Sequence, residues 1–382
     1  MTDQGRYGHA SVVFDLALRR FEMSSHVTMR QIAERAQVSI GTVSHVVNGT
    51  AGVRPKLRSR VLEAIRNLGF QPSALAQGLR LNRSRMLGMI VPDIANPFFP
   101  GVVRGAEDVA FKNSYRLVLC NTDNDPAKEA LYLAELKSFR AAGLLIIPAA
   151  GSDLVSELAN GDPVKPPVVC IDRCPNAWTG DGVVVANEEG AYEATKHLIR
   201  SGHRHLAVIC GPALLANATE RLNGFKRALR EARLPIAPEF IQEAAFDMRT
   251  GAHAARRLMR MLPRPTAIFA CNDLMALGTL HALHELRLRC PEDVSVAGFD
   301  SLEFCEFTNP ALTSVYQPDY QMGTVAASLL LERIKGLADA PKRIALPTEL
   351  KIRNSVMSII DFSKLPPAKI RRVRKATPKP VR

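Results

Sequence analysis

The chain has 382 residues, 47% of them hydrophobic and 23% charged, with a formal net charge of +13. That length suits about two or three domains, the apolar share excludes a disordered or fibrous polymer, and no apolar run reaches the roughly 18 residues of a membrane span. The charge sits at the ends: residues 1–85 carry 13 Lys/Arg against 5 Asp/Glu, and residues 364–382 carry 8 Lys/Arg and no acid. A basic N-terminal module on a near-neutral body implies a polyanionic partner for that module.

Residues 1–26 hold no basic start, sustained apolar core and small-residue cleavage site, so the expected compartment is the cytoplasm and the segment is expected to be a disordered extension. Seven cysteines (Cys120, Cys170, Cys174, Cys210, Cys271, Cys290, Cys305) lack CxxC pairing and are expected as buried free thiols.

The run VTMRQIAERAQVSIGTVSHVVNG follows. Thr28 and Gln31 form a capping box opening a helix with Met29, Ile32, Ala33 and Ala36 on its apolar face. Gln37-Val38-Ser39 makes a tight turn, and Ser39 caps a second helix. There Ile40, Val43 and Val47 fall at i, i+3 and i+7, with Val46 beside them; Gly41, Thr42, Ser44, His45 and Asn48 take the outer arc. A third helix from Pro55 to Gly69 sets Val61, Leu62, Ile65 and Leu68 on one side. Helix, short turn, helix and a bracing third helix, all basic, make a helix-turn-helix DNA-binding unit. QPSALAQGLRLNRSRM can form only a short helix, marginal alone in water, as a conditional linker requires.

From Met86 the pattern changes to apolar runs alternating with amphipathic segments: LGMIVP, RLVLCN, GLLIIPA, PVVCID, LAVICGP, TAIFACN and VSVAGFD, with a weaker run near Glu243. Such runs fit parallel sheets covered on both faces, and their number implies two doubly wound α/β lobes. Ligands in such sheets bind beyond the carboxyl ends of the strands. Those ends supply Asn96, Phe98, Phe99, Asp172, Arg173, Asn272 and Asp300, with Arg221 and Phe246 after two further runs. Carboxylates and amides pair with vicinal hydroxyls and aromatic faces suit the C–H faces of a sugar, so a neutral polyol is the expected ligand. A lone Asp at a strand end is most often a helix N-cap; six strand ends with complementary groups favour a shared cleft. No GxGxxG, phosphate loop or GxSxG elbow is present, which argues against an enzyme, and no cofactor is implied. His203, His205, His281 and His284 lack Cys or carboxylate partners in metal-ligand spacing and are expected in turns and on helix surfaces.

Taken together, VTMRQIAERAQVSIGTVSHVVNG, PSALAQGLR, NPFF, the Asp172-Arg173 pair, ERLNGF, CNDLMALG and VAGFDS resemble the lactose/galactose-repressor (LacI-GalR) family of transcription regulators over about Val27 to Ser355. The resemblance implies a helix-turn-helix domain at 27–71, a hinge helix at 72–85 and a two-lobed periplasmic-binding-protein-like sensor and dimerisation domain at 86–362. The N lobe would span about 86–184 and 318–346, the C lobe about 185–317 and 347–362, with a disordered basic tail at 363–382. It implies a homodimer, or a tetramer built from it, on a palindromic operator. Ile40, Gly41 and His45 match base-reading positions; Thr28, Ser39, Thr42, Ser44 and Asn48 match phosphate-contacting or supporting ones; Leu79 matches the leucine wedged into the minor groove. His45 departs from the Arg frequent there. The cleft resembles that of ribose-binding proteins at Asn96, Phe98, Phe99, Asp172, Arg173, Arg221, Phe246, Asn272, Asp300 and Gln317, which implies ribose or a similar pentose as effector and, by default, repression relieved by the sugar. The alternatives are a sugar-binding protein without a DNA role, or a nucleoside, purine or other monosaccharide as ligand. Met23 resembles an ordinary start for such a protein.

Overall fold

A computed structural model describes residues 27–47, 52–70, 84–154, 158, 166–337 and 340–359. The extension 1–26, Asn48, the linker with Leu79 and the tail 363–382 lie outside the described residues. The chain divides into two compact units, Met1–Ser84 and Arg85–Arg382.

In the first unit three helices, α1 (Met29–Ala36), α2 (Ile40–Val47) and α3 (Pro55–Leu68), enclose a core of Ile32, Ala33, Ala36, Val43, Val46, Val61 and Ala64. The Thr28 hydroxyl accepts from the Gln31 N–H at 3.3 Å and the Gln31 side chain accepts from the Thr28 N–H at 2.7 Å, so two orphan donors of the helix start are satisfied. Gln37 ends α1 at φ 50°, and Arg60 on α3 donates to its side-chain oxygen at 3.2 Å, pinning the turn. Ser39 then accepts from the Thr42 N–H at 3.2 Å to start α2. Two apolar assignments from periodicity need correction. Ile40 is 48% exposed and Leu62 43% exposed, because the buried stripes run through Val43 and Val46 on α2 and through Val61 and Ala64 on α3.

The second unit contains two six-stranded sheets. One has the order β11-β5-β4-β3-β1-β2, built from β1 (Met86–Val91), β2 (Arg116–Asn121), β3 (Gly143–Ile146), β4 (Val168–Ile171), β5 (Asp181–Val185) and β11 (Arg343–Leu346), all parallel. The other has the order β12-β10-β9-β8-β6-β7, from β6 (Leu206–Cys210), β7 (Ile241–Glu243), β8 (Ala267–Ala270), β9 (Ser295–Asp300), β10 (Thr313–Tyr316) and β12 (Glu349–Lys351). Only β12 runs antiparallel to its neighbour there. The chain crosses between the lobes three times, after β5, β10 and β11.

The connecting helices are α4 (Phe98–Lys112), α5 (Pro126–Ser138), α6 (Asn187–Arg200), α7 (Ala216–Glu231), α8 (Met248–Met259), α9 (Asp273–Glu285) and α10 (Asp319–Ile334). Helices α4 and α10 approach so closely that a Cβ on Gly105 would lie 2.1 Å from the Tyr320 carbonyl and one on Gly323 2.0 Å from that of Val102. This contact seats the returning α10 against the first lobe.

Four strands, β5, β10, β11 and β12, escape the apolar-run pattern. β11 and β12 are short, and β10 buries Thr313 and Ser314, whose hydroxyls are satisfied by the Arg353 N–H and by Asp273. β2 was expected to be covered on both faces; it is an edge strand with Val118 and Leu119 exposed. His203 was expected in a turn; it lies in the connection between α6 and β6 but is 1% exposed, and its Nδ1 lies 3.0 Å from the Thr266 hydroxyl. Burial depresses its pKa below the ordinary histidine value. All seven cysteines are free, five of them buried. Among the described residues no helix is long and apolar enough to cross a membrane.

Candidate functional site

The two units present opposite kinds of surface. On α2 the side chains of Ile40 and His45, with Gly41 between them, stand exposed, and Thr42 and Ser44 flank them half-buried. Ser39 and Thr28 are exposed at the starts of α2 and α1. A Cβ on Gly41 would meet only the Ser39 hydroxyl, at 3.7 Å, so its missing side chain answers to nothing inside the unit.

In the second unit Asn96, Phe98, Phe99, Asp172, Arg173, Arg221, Phe246, Asn272, Asp300 and Gln317 line one cleft between the lobes, so all ten positions read from the sequence meet there. Asn96 caps the first turn of α4, accepting from the Phe98 N–H at 3.1 Å, and α4 then presents Phe98 and Phe99 edge to face, 5.3 Å between centroids. Phe246 follows β7 at φ 63°, and its ring fills the space where a side chain on Gly211 would stand: a Cβ there would be 2.1 Å from the ring. Asn272 donates to the Phe246 carbonyl at 3.0 Å and accepts from the Met275 N–H at 2.9 Å, so this side chain both caps α9 and holds Phe246.

Asp172 (φ 59°), Phe246 and Asp300 (φ 114°) all occupy backbone conformations that L-residues avoid. Each costs of order 1–3 kcal/mol, and such outliers gather where structure holds a group for a task.

The two arginines are held differently. Arg221 donates through Nε to Asn187 at 2.9 Å and through Nη1 to the Cys271 carbonyl at 2.6 Å, lies 3.6 Å from Asp300 and stacks 3.8 Å from the Phe299 centroid. Arg173 donates through Nη1 to Asn124 at 3.0 Å, and its Nε lies 3.8 Å from Asp172 without a hydrogen-bond partner. Burial pushes its guanidinium pKa below the ordinary value, with Asp172 opposing. Burial likewise drives the Asp300 carboxyl well above the usual carboxylate range, against the pull of Arg221. Gln317, in the second crossing between lobes, donates to Asp300 at 2.5 Å.

Three residues escaped the strand-end reading. Asn217 lines the cleft from the first turn of α7, four residues before Arg221, a spacing that puts both on one helical face. Asn124 and Asn187 orient the two arginines from outside the cleft. The i, i+4 pair was readable; the two supporting amides had no sequence signal, because they sit 49 and 34 residues from their partners.

The cleft is lined by two carboxyl groups and two guanidiniums, so its formal charges balance. Its cavity of roughly 20 Å³ is far below the about 300–1,000 Å³ of ordinary ligand pockets. Among the described residues no cluster of His, Cys, Asp and Glu could hold a metal.

Residues 28–73 match the family model for bacterial regulatory proteins of the lacI family, and residues 195–356 match that of a periplasmic binding protein-like domain. The HTH-type transcriptional repressor PurR of Aliivibrio fischeri is 37% identical over 87% of this chain and 98% of its own. Among solved structures, the lac repressor dimer bound to operator and the anti-inducer ONPF is similar with a TM-score of 0.77 at 27% identity, over 87% of this chain and 99% of that one. A LacI-family regulator from Enterococcus faecium with bound ribose is similar with a TM-score of 0.65 at 30% identity, over 72% of this chain and 100% of that one.

Proposed function

The chain belongs to the lacI family of bacterial regulatory proteins, DNA-binding transcriptional repressors under ligand control, and from that premise we infer that its effector is ribose or a similarly compact pentose. The observation that carries this reading is a set of four buried polar atoms on residues lining the cleft that have no hydrogen-bond partner: Asp172 Oδ1, Arg173 Nε, Asn217 Oδ1 and Gln317 Oε1. Left unmet, such groups cost about 1–3 kcal/mol each, so the cleft is built for a ligand that brings several donors and acceptors in little volume. A pentose does so through its hydroxyls and ring oxygen, while its C–H faces suit the phenylalanines. The neutral charge balance agrees with an uncharged ligand. The ribose-bound relative supports the same reading; the purine suggested by the names of the curated repressors is the rival.

At the operator, Ile40, Gly41 and His45 read bases in the major groove, with Thr28, Ser39, Thr42, Ser44 and Asn48 on or beside the phosphates and Leu79 in the minor groove. His45 makes a single hydrogen bond to a base acceptor where an arginine would make two. The active form is a dimer, one module per half-site. On the body, Val118 and Leu119 of edge strand β2 and nearby Phe111 are exposed apolar groups available to a second copy. Pentose closing the lobes changes how the linkers meet the operator, and the affinities for sugar and DNA are coupled reciprocally.

Titrating a palindromic operator from upstream of the protein's own gene, with and without ribose or hypoxanthine, tests this. The expected result is salt-dependent operator binding weakened by ribose and indifferent to hypoxanthine; a response to hypoxanthine alone would overturn the effector assignment.

A further inference from the structure

In the second sheet the parallel strands β6, β7, β8 and β9 all start on one side, and α6, α7, α8 and α9 all end there. The cleft lies beyond the carboxyl ends of the strands, so this pole faces away from it. Arg200, Arg233, Arg257, Arg260, Arg264 and Arg287 stand exposed at the pole, and none forms an ion pair among the described residues. Nearby carboxylates are already engaged: Glu285 pairs with Arg256, Asp293 lies 3.2 Å from Arg289, and Glu231 accepts from the Tyr192 hydroxyl at 2.6 Å. Glu239 and Glu292 are the exposed acids left to oppose the six arginines.

Basic residues at a helix end commonly answer the helix dipole, an effect confined to the last turn. These go further. Arg260 and Arg264 lie past the end of α8, and Arg233 and Arg287 lie past α7 and α9 at φ 57° and 58°, the left-handed position that favours glycine. The basic C-terminal segment starts from the same place. Ile359 donates its N–H to the Ser201 carbonyl at 2.8 Å, next to Arg200. Lys364 follows within about 18 Å of extended chain. Residues 364–382 carry 8 Lys/Arg and no acid.

We propose that this pole and the segment 364–382 form a second DNA-contacting surface, which takes the phosphates of a duplex without regard to sequence while the helix-turn-helix units hold the operator. The starts of β9, β8, β6 and β7 spread the arginines over about 15 Å, a length along which a duplex presents on the order of nine charges. Guanidiniums bind phosphate in bidentate fashion, and non-operator DNA flanks every operator. The segment 364–382 has no aromatic residue to anchor it in a bilayer, which favours a duplex over a membrane as the polyanion.

The test saturates the full-length protein with unlabelled operator and titrates in a fluorescent duplex of scrambled sequence. Capture of the second duplex is expected, weakening about 100-fold or more between about 50 and 200 mM salt. The triple variant Arg257→Glu/Arg260→Glu/Arg264→Glu should weaken capture at least about 10-fold, and so should ending the chain after Ile359, each with operator affinity kept. The corresponding triple change to Gln reports the same surface should the charge reversal fail to fold. No capture at low salt, or capture that either change leaves intact, overturns the proposal. Operator binding, read in the same mixture, shows separately whether DNA recognition by the first unit has failed. Binding of anionic phospholipid vesicles in place of the duplex would make the pole a membrane contact and overturn the proposal as well.

Discussion

The recognition helix and the sensor cleft do their work by opposite physical means. α2 displays small, exposed groups on a helix whose only demand is that Val43 and Val46 reach a small core. The cleft gathers charged groups that are nearly all buried, on backbones held in unfavourable conformations and oriented by amides from distant parts of the chain. An exposed reading face needs a scaffold and a bare surface; a buried one needs every partner in place before the ligand arrives. Changes on the exposed face of α2 should therefore act locally, and changes in the cleft should propagate.

The largest departure should come from Arg221→Leu. Removing one partner of a buried ion pair leaves Asp300 uncompensated, at about 3–5 kcal/mol, so chemical denaturation of the body should show that loss and calorimetry no ribose binding. Operator binding by the first unit should survive; its disappearance would mean that the two regions are not separable. The reciprocal break is Ile32→Ala, in a core small enough that the about 2–5 kcal/mol of a large-to-small change should unfold it. Operator affinity should then vanish while ribose still binds.

The comparison also separates by pH. Burial raises the Asp273 carboxyl to about 6, against hydrogen bonds from Ser314, Cys305 and the Leu302 N–H. The folded form thus holds its proton more tightly than the unfolded chain, and the stability it contributes is present below about pH 4 and lost as pH rises through 6, by about 3 kcal/mol. Asp273→Asn should flatten that decline in the body's denaturation midpoint. The first unit buries no carboxylate among its described residues and should show no such window.

Smaller effects sharpen the first region. Thr28→Ala removes the capping box and should cost the module about 1 kcal/mol in thermal unfolding. His45→Arg should redistribute affinity among operator variants at one base position, and an equal change on every operator would remove its base-reading role.

The first unit was almost wholly legible, because capping boxes, turns and 3.6-residue periodicity are local. The capping of Thr28 and Ser39 appears as read, whereas Ile40 and Leu62 were assigned inward because an apolar residue on the margin of a stripe can face either way. In the body, apolar runs marked eight strands but not β10, whose buried Thr313 and Ser314 look polar until their partners are known.

By itself the sequence determined a helix-turn-helix unit, two doubly wound lobes and the ten residues that the cleft assembles, since strand ends and motifs carry these locally. Only the tertiary structure decided how they are held. It bonded Arg221 through Nε and Nη1, left Arg173 Nε without a hydrogen-bond partner, placed Asn124 and Asn187 behind the two arginines, and brought Asn217 across to Asp172. Hydrogen bonds between residues dozens of positions apart leave no periodicity in a chain, so which polar atoms are left without a partner is settled only when the lobes are packed.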